Sequence, residues 1–414
     1  GASAARFSVS VEAIQAANSL PGDALAIGQN LIIPLPAPQP VGPGFKIIPD
    51  SELVYGPMSI TLDVAGFVES RGGYLARYTQ EVGGETLTGA EVILRIAENY
   101  SVNPRLLLAL LEYRSGWVTR ASVDPITWAD PLGAGSSSPG LYLQMAWAAN
   151  ELNRGYYLWR AGAVQLWVLG DGNNVPISPT LNAGTAGVQH MFARLDGYQA
   201  WLRDVSPDGL FYTYNALFGY PFDLAIEPLV AFNLVQPEMH LPFPEGETWA
   251  FTGGPHGGWD TGSAWAALDF APPGEGQGCV TSDAWVTAVS DGLITRAFDG
   301  AVIQDLDGDG YEQTGWVVLY MHVETRDRVE PGTFLRAGER VGHPSCEGGI
   351  SNGTHLHIAR RFNGEWIAAD GDTPFDLDGW ISSGAGAEYD GYMRRGEQVV
   401  EAYDGLDEIN QIRR

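Results

Sequence analysis

Apolar residues recur every three to four positions through most of the first 245 residues. Beyond that point they give way to short alternating runs broken by glycine, so the chain carries two different periods of secondary structure. Residues 8–36, "SVSVEAIQAANSLPGDALAIGQNLIIPLP", read as a short helix with Val11, Ile14 and Ala17 on one face, then a turn and a short strand at "NLIIP". In "GAEVILRIAENY", Val92, Ile93, Ile96, Ala97 and Tyr100 share a face at helical spacing. The next stretch, "SVNPRLLLALLEYRSGW", opens with Asn103 as N-cap and Pro104 at the first helical position. A third helix starts near Leu141, in "LYLQMAWAANELNRGYYLW". From residue 246 the turn signals multiply, with Asp-Gly pairs at Asp291-Gly292, Asp299-Gly300 and Asp307-Gly308 between short strands.

These changes of pattern divide the chain into an N-terminal unit (1–36), a Pro/Gly linker (37–46), a mostly helical domain (47–245), a β-rich domain (246–405) and a polar tail (406–414). The fold class expected is multidomain α+β, with the β domain antiparallel. The 53 glycines and 26 prolines suit a β-rich portion with many turns. No apolar run approaches the length of about 18 residues that spans a bilayer, so no membrane span is expected. A net charge of −27 argues against nucleic acid and anionic lipid as partners. The chain begins "GASAARF", without an initiator Met or a basic-then-apolar leader, as a trimmed secreted protein or a cloned fragment would.

Five of the seven histidines fall in the β-rich domain, and two of them, His355 and His357, stand one residue apart in "SNGTHLHIARR". Alternate residues of a strand share a face, so both rings point the same way. The domain also offers "GGPHGGWD", "AALDFAPPG", "VVLYMHV" and "GERVGHPSC". A catalytic zinc site wants a few imidazole and carboxylate ligands converging from separate strands, with one position open for water. His256, an aspartate and one histidine of the HLH strand supply that set, and two histidines remain for proton handling. His343 reads as a turn residue; His190 and His240 lie outside the domain.

Three segments resemble known families. "SVEAIQAAN" and "IGQNLIIP" are similar to the second half of a LysM module, a glycan-binding unit. "GAEVILRIAENYSVNPRLLLALLEYRSGW" resembles the core helices of lysozyme-like transglycosylases, but Arg114 stands where that family has its catalytic glutamate. A guanidinium stays charged and cannot protonate a leaving oxygen, so a muramidase is not implied. Glu112 lies two positions earlier, on another side of the helix. The β-rich domain resembles the lysostaphin-type zinc endopeptidases of bacterial cell walls, through "PHGGWD", "LDFAPPG", "VTAVSDGLI", "WVVLYMHV", "RAGERVGHPS" and "GTHLHIA" in that family's order. The resemblance implies His256 and His357 as zinc ligands, with His322 and His355 as the catalytic pair. It departs at the carboxylate: Asp260 has the family's spacing, four residues after His256, whereas Asp269 sits in the matching phrase. The expected ligand is Asp269, because "WAALDFA" reads as a buried strand and "GGWDTGSAW" as a loop. A carboxylate buried alone on such a strand would be costly, and a metal bond removes that cost.

Cys279 and Cys346 are the only cysteines, and on spacing alone a disulfide and two buried thiols are both open. A bridge is expected, because it would tie together the two segments that deliver ligands. "DLDGDGYE" carries the opening of a calcium loop at Asp305, Asp307 and Asp309, but Trp316 occupies the position where that loop closes with glutamate. The function implied is hydrolysis of peptide bonds in peptidoglycan by a zinc metalloendopeptidase, in the cell envelope or outside the cell. The rival is a non-enzymatic envelope scaffold that keeps the peptidase fold. Retention of every histidine and the aspartate favours the enzyme.

Overall fold

The structure, a computed structural model, describes residues 11–22, 24–25, 28–34, 41–135, 139–274 and 278–414. Helix α1 (Val11–Asn18) buries Ile14, and the Asn18 side-chain amide exchanges two hydrogen bonds with the backbone of Ile32, at 2.6 and 2.7 Å. The strand expected at "NLIIP" is not formed, because the Asn18 amide takes the place of a neighbouring strand. Residues 37–40 of the linker lie outside the described residues.

The helical half contains α2 (Val64–Arg71), α3 (Gly89–Tyr100), α4 (Pro104–Ser115), α5 (Leu141–Arg160), α6 (Ala183–Leu195), α7 (Tyr198–Asp204) and α8 (Leu210–Phe218). Two small hairpins accompany them, β1 (Thr79–Val82) with β2 (Glu85–Thr88), and β3 (Leu166–Val168) with β4 (Asn174–Pro176). Thr88 and Glu91 form a reciprocal capping box at the start of α3. Asn103 caps α4 by accepting from the Arg105 N–H, with Pro104 at the first position and Gly116 left-handed at the end. The long α5 packs against α6 through small residues. A Cβ at Gly155 would stand 2.4 Å from the Cβ of His190, so the two helices approach only because that position is glycine.

The C-terminal half begins with β5 (Thr248–His256), β6 (Ala267–Ala271), β7 (Val286–Thr287), β8 (Gly292–Phe298) and β9 (Ala301–Asp305). There follow β10 (Trp316–Met321), β11 (Phe334–Leu335), β12 (Arg340–Gly342), β13 (Leu356–Phe362) and β14 (Glu365–Trp366). The last strands are β15 (Asp376–Leu377), β16 (Trp380–Gly384), β17 (Gly391–Arg395), β18 (Gln398–Glu401) and β19 (Gln411–Arg413). One nine-stranded sheet runs β11-β8-β9-β10-β13-β6-β5-β19, with β14 added to β13; β15 to β18 form a second sheet. The strand pairings are antiparallel, as expected.

Both faces of the large sheet are apolar, and each has its own cover. Leu268, Phe270, Val318, Tyr320, Leu356 and Ile358 point into a core closed by Phe375, Trp380 and Met393. Ala267, Ile303, Val317, Leu319, Met321 and Ala359 point the other way, where Tyr157 of α5 and Trp259 pack on them. Ion pairs cross to the helical half at the edge of this second face. Arg361 donates to Glu312 at 2.8 Å and to the Glu98 carbonyl at 3.1 Å, while Arg296 reaches Glu98 and Asn99 at 3.3 and 3.1 Å. Arg160 pairs with Glu365 at 3.1 Å.

Candidate metal centre

His357 on β13 lies directly opposite Asp269 on β6, and both side chains rise from the sheet face that the helical half covers. His256 arrives from β5, whose pairing with β6 slips twice between Phe251 and His256. Such bulges re-aim side chains, and here they bring the His256 ring over Asp269. A Cβ at Gly253 would stand 2.6 Å from Asp269 Oδ2, so glycine leaves the carboxylate its room. His322 follows β10 with φ of 67°, a left-handed turn that faces its ring to His355, with centroids 4.4 Å apart.

Each of these four imidazoles is pinned through one nitrogen to a backbone carbonyl. His256 Nδ1 donates to Gly254 at 2.8 Å, His357 Nε2 to Gly258 at 3.1 Å, His355 Nδ1 to Gly353 at 2.7 Å and His322 Nδ1 to Glu347 at 3.0 Å. A carbonyl only accepts, so the bonded nitrogen carries the hydrogen and the other is a bare lone pair in the neutral ring. His256 Nε2 and His357 Nδ1 face each other at 2.9 Å, and each is 3.2 Å from Asp269 Oδ1. Three electron-pair donors thus converge with no proton assigned between them. Asp269 Oδ1 is buried and accepts no hydrogen bond.

That arrangement is repulsive unless something positive sits among the three atoms. A tetrahedral zinc with bonds of about 2.0–2.1 Å sets its ligand atoms roughly 3.3 Å apart, close to the separations found here. Two imidazoles and one carboxylate are also zinc's usual catalytic donors, and carbonyl-fixed rings are their usual support. The residues fit the ion. The same appetite for positive charge shows in their ionisation. Burial works against charge on His256, yet the Asp269 carboxylate outweighs it and raises that imidazole above its ordinary range. Burial also opposes ionisation of Asp269, and His256 nevertheless holds the carboxyl well below the usual range. Burial, aided by His355 and His357, lowers His322 to about 4 and keeps its Nε2 bare at neutral pH.

His355 Nε2 lies 3.9 Å from Asp269 Oδ1, beside the converging trio. A cleft of about 1230 Å³ opens along Asp269, His355, Thr354, Val280 and Tyr389. Tyr389 is a site residue that sequence reasoning missed: its ring stacks on His256 with centroids 4.2 Å apart, but "AEYDGY" matches no motif. The four carbonyls are equally invisible in a sequence, since any residue supplies one.

Asp260, the carboxylate with the expected spacing, turns away and accepts from the Tyr100 hydroxyl at 3.2 Å. Cys279 and Cys346 form a disulfide with Cα atoms 5.7 Å apart. Asp305, Asp307 and Asp309 bring carboxylate oxygens within 4.8 Å of one another, and all three also accept backbone N–H groups of their own loop. His343 bonds the Ala284 carbonyl and packs on Trp285, apart from the cluster. His190 pairs with Glu151 and His240 with Asp378. In the helical half, Glu112 is occupied by Val118 and Thr119, and Arg114 by Leu132 and Asp196.

Residues 46–229 match the family model described as LasA, N-terminal domain, and residues 4–34 match the LysM domain. The chain is 26% identical over 295 residues to Protease LasA of Pseudomonas aeruginosa, an alignment that covers 66% of each protein. It therefore spans just under two thirds of that relative's length. Among solved structures, it is similar to the M23 metalloprotease Pseudoalterin from the deep sea, at 25% identity over 41% of this chain and 98% of that one, with a TM-score of 0.34. The catalytic domain of lysostaphin from Staphylococcus simulans is 23% identical over 30% of this chain and 89% of that one, with a TM-score of 0.21. The chain is thus similar to Protease LasA over 295 residues, with a LysM match at residues 4–34 and a match to the LasA N-terminal domain at residues 46–229.

Proposed function

We propose that this protein is a zinc metalloendopeptidase that hydrolyses peptide bonds of bacterial peptidoglycan, working in the cell envelope or outside the cell. The observation that supports it most is the convergence of His256 Nε2, His357 Nδ1 and Asp269 Oδ1 as three bare donors beside an open cleft. In this reading those three side chains hold zinc, whose chemistry when bound is to acidify a water and polarise a carbonyl. His322 and His355 handle protons at their free Nε2 atoms. One takes the proton of the attacking water, and the other, once protonated, donates to the oxygen that becomes negative. Tyr389 walls the cleft beside His256.

The working division follows the sequence, with a glycan-holding LysM unit (1–36), a linker (37–46), the helical domain (47–245) and the peptidase (246–405), except that the expected polar tail (406–414) returns to the peptidase sheet as β19 and buries Ile412. The Asp305, Asp307 and Asp309 loop is proposed as a secondary Ca²⁺ site, to be checked by calcium titration calorimetry. Among the described residues no helix is long and apolar enough to cross a membrane. The deciding experiment is metal analysis of the purified chain together with a peptidoglycan digestion assay, before and after chelation. About one zinc per chain is expected, with release of new amino termini that stops on chelation and returns with zinc. A chain that takes up no zinc, or whose hydrolysis ignores the chelator, would overturn the proposal.

A further inference from the structure

A cavity of about 600 Å³ lies between β18, at the end of the small sheet, and β19, at the end of the large one. It shares no lining residue with the cleft beside the metal centre. Strand alternation builds it: Ile412 packs into the core, so Gln411 and Arg413 on either side of it project outward from β19. Gln398 and Val399 of β18 close the other side, and Trp380 of β16, itself buried, adds a third wall. The Arg395 guanidinium lies over the Trp380 ring, 4.5 Å from its centroid. In a chain with 50 acidic and 23 basic residues, this cavity is lined by three arginines and no carboxylate. Arg414 is already engaged, donating to the Phe243 carbonyl at 2.8 Å and standing 3.6 Å from Asp378. Asp378 in turn is engaged by His240 at 2.6 Å. Arg395 uses one N–H, at 3.5 Å, on the Asp378 backbone carbonyl. The exposed Arg413 guanidinium has no ion-pair or hydrogen-bond partner among the described residues. The Trp380 indole N–H is buried and donates to no group. A buried donor without an acceptor is unfavourable, so this wall lacks a negative oxygen.

We propose that this cavity binds the free carboxylate end of a peptide. Two guanidinium groups with donors to spare and an unsatisfied indole N–H offer hydrogens only, and a carboxylate accepts such forks at both its oxygens. A small inorganic anion would meet the same donors, but the remaining walls favour a peptide. Val399 is 48% exposed and gives an apolar surface for the side chain beside the carboxylate. The Gln398 and Gln411 amides can each donate to and accept from a peptide group. No strand of the small sheet lies beyond β18, so its outer edge is open to an extended peptide laid alongside. Hydrolysis of a peptide bond adds water across C–N, leaving a carboxylate on one fragment and an amine on the other, so a peptidase generates such ends. At a cell wall the cavity holds the enzyme on strands already cut while the cleft works on their neighbours. That use rests on the proposed function above; the binding itself does not.

The test is titration calorimetry of the intact chain with acetyl-Ala-Ala, with the same peptide amidated at its carboxyl end, and with inorganic phosphate. The free acid should bind, and the amide about tenfold more weakly or worse, because bonds from charged donors to a charged acceptor are lost. Arg413→Gln and Arg395→Gln should each weaken binding of the acid about tenfold. Trp380→Phe keeps the ring, removes the N–H and should cost about threefold. If Arg395→Gln or Trp380→Phe fails to fold, Arg413→Gln decides alone, since its side chain is exposed and the change leaves the core intact. Equal binding of acid and amide overturns the proposal. So does unchanged binding of the acid in Arg413→Gln, which would place the peptide elsewhere, the metal cleft included. Phosphate bound as tightly as the acid, with the same loss in Arg413→Gln, overturns it too, because the cavity would then recognise an inorganic anion and not a peptide end. Binding is read without hydrolysis, so a chain that holds the acid yet cuts no peptidoglycan would overturn the peptidase reading and support the cavity's role.

Discussion

At the scale of single residues, His355 and His357 differ in what their inward nitrogens face. His357 Nδ1 points at His256 and Asp269 at 2.9 and 3.2 Å, whereas His355 Nε2 stands 3.9 Å from Asp269 and its ring faces His322. His357→Ala should therefore abolish both zinc binding and peptidoglycan hydrolysis. His355→Ala should keep the zinc and lose about 10²–10⁴-fold in turnover, the usual worth of a proton-handling group. Metal analysis paired with the digestion assay separates the two, and equal zinc loss in both variants would reverse the assignments. The same pairing applies to the aspartates: Asp269→Ala should lose zinc and Asp260→Ala should keep about one ion per chain. Retention of zinc in Asp269→Ala would mean that spacing was the better guide.

At the scale of elements, legibility in the sequence followed how local the determining interaction is. Helix α4 was readable to its first residue, since Asn103 and Pro104 act on the turn they begin. The alternation in "HLH" was equally readable, because a strand's own pleat puts His355 and His357 on one face. The carboxylate was harder to place, because the segment between β5 and β6 is long enough to reach the helical half, and its anchors, Asn150 and Tyr100, lie over a hundred residues upstream. No local pattern announces such partners. The strand at "NLIIP" failed for the converse reason: a side-chain amide, Asn18, supplied the pairing that a neighbouring strand would have given. The disulfide acts at this scale too. Cys279 follows β6 and Cys346 precedes β13, so the bridge fastens the segments flanking the strands of Asp269 and His357 and closes a span of 67 residues. Cys279→Ser with Cys346→Ser should lower stability by about 3–5 kcal/mol in the chain-entropy account. Denaturant unfolding of the double variant checks it, and an unchanged midpoint would show that the loop is restrained by its other contacts.

At the scale of the whole molecule, the helical half covers the second apolar face of the sheet, and charged groups at the edge of that contact couple the two halves. Glu312, in the loop between β9 and β10, lies between Arg296 and Arg361, whose guanidinium groups also reach Glu98 and Asn99 near the end of α3. Cations near a helix C-terminus meet its unpaired carbonyls favourably, and Arg361 does so at the Glu98 carbonyl. Glu312 fixes both cations in that position. Burial opposes its ionisation, but Arg296 and then Arg361 outweigh it and hold the carboxyl down at about 2. With the folded value near 2 and the ordinary value at 4.5, the stabilisation from Glu312 is fully present above pH 4.5 and is lost as pH falls through 2. The gap corresponds to about 3 kcal/mol. Glu312→Gln should cost a similar amount at neutral pH, about 3 kcal/mol, because the buried Arg361 and the half-buried Arg296 lose their shared counter-charge. Its thermal midpoint should also fall less steeply than that of wild type between pH 4.5 and 2. Calorimetric scans across that range read both effects, and because the contact joins the halves, wild type should unfold in one transition where Glu312→Gln separates into two. Parallel pH slopes in the two proteins would show that the carboxylate gains nothing from its arginines.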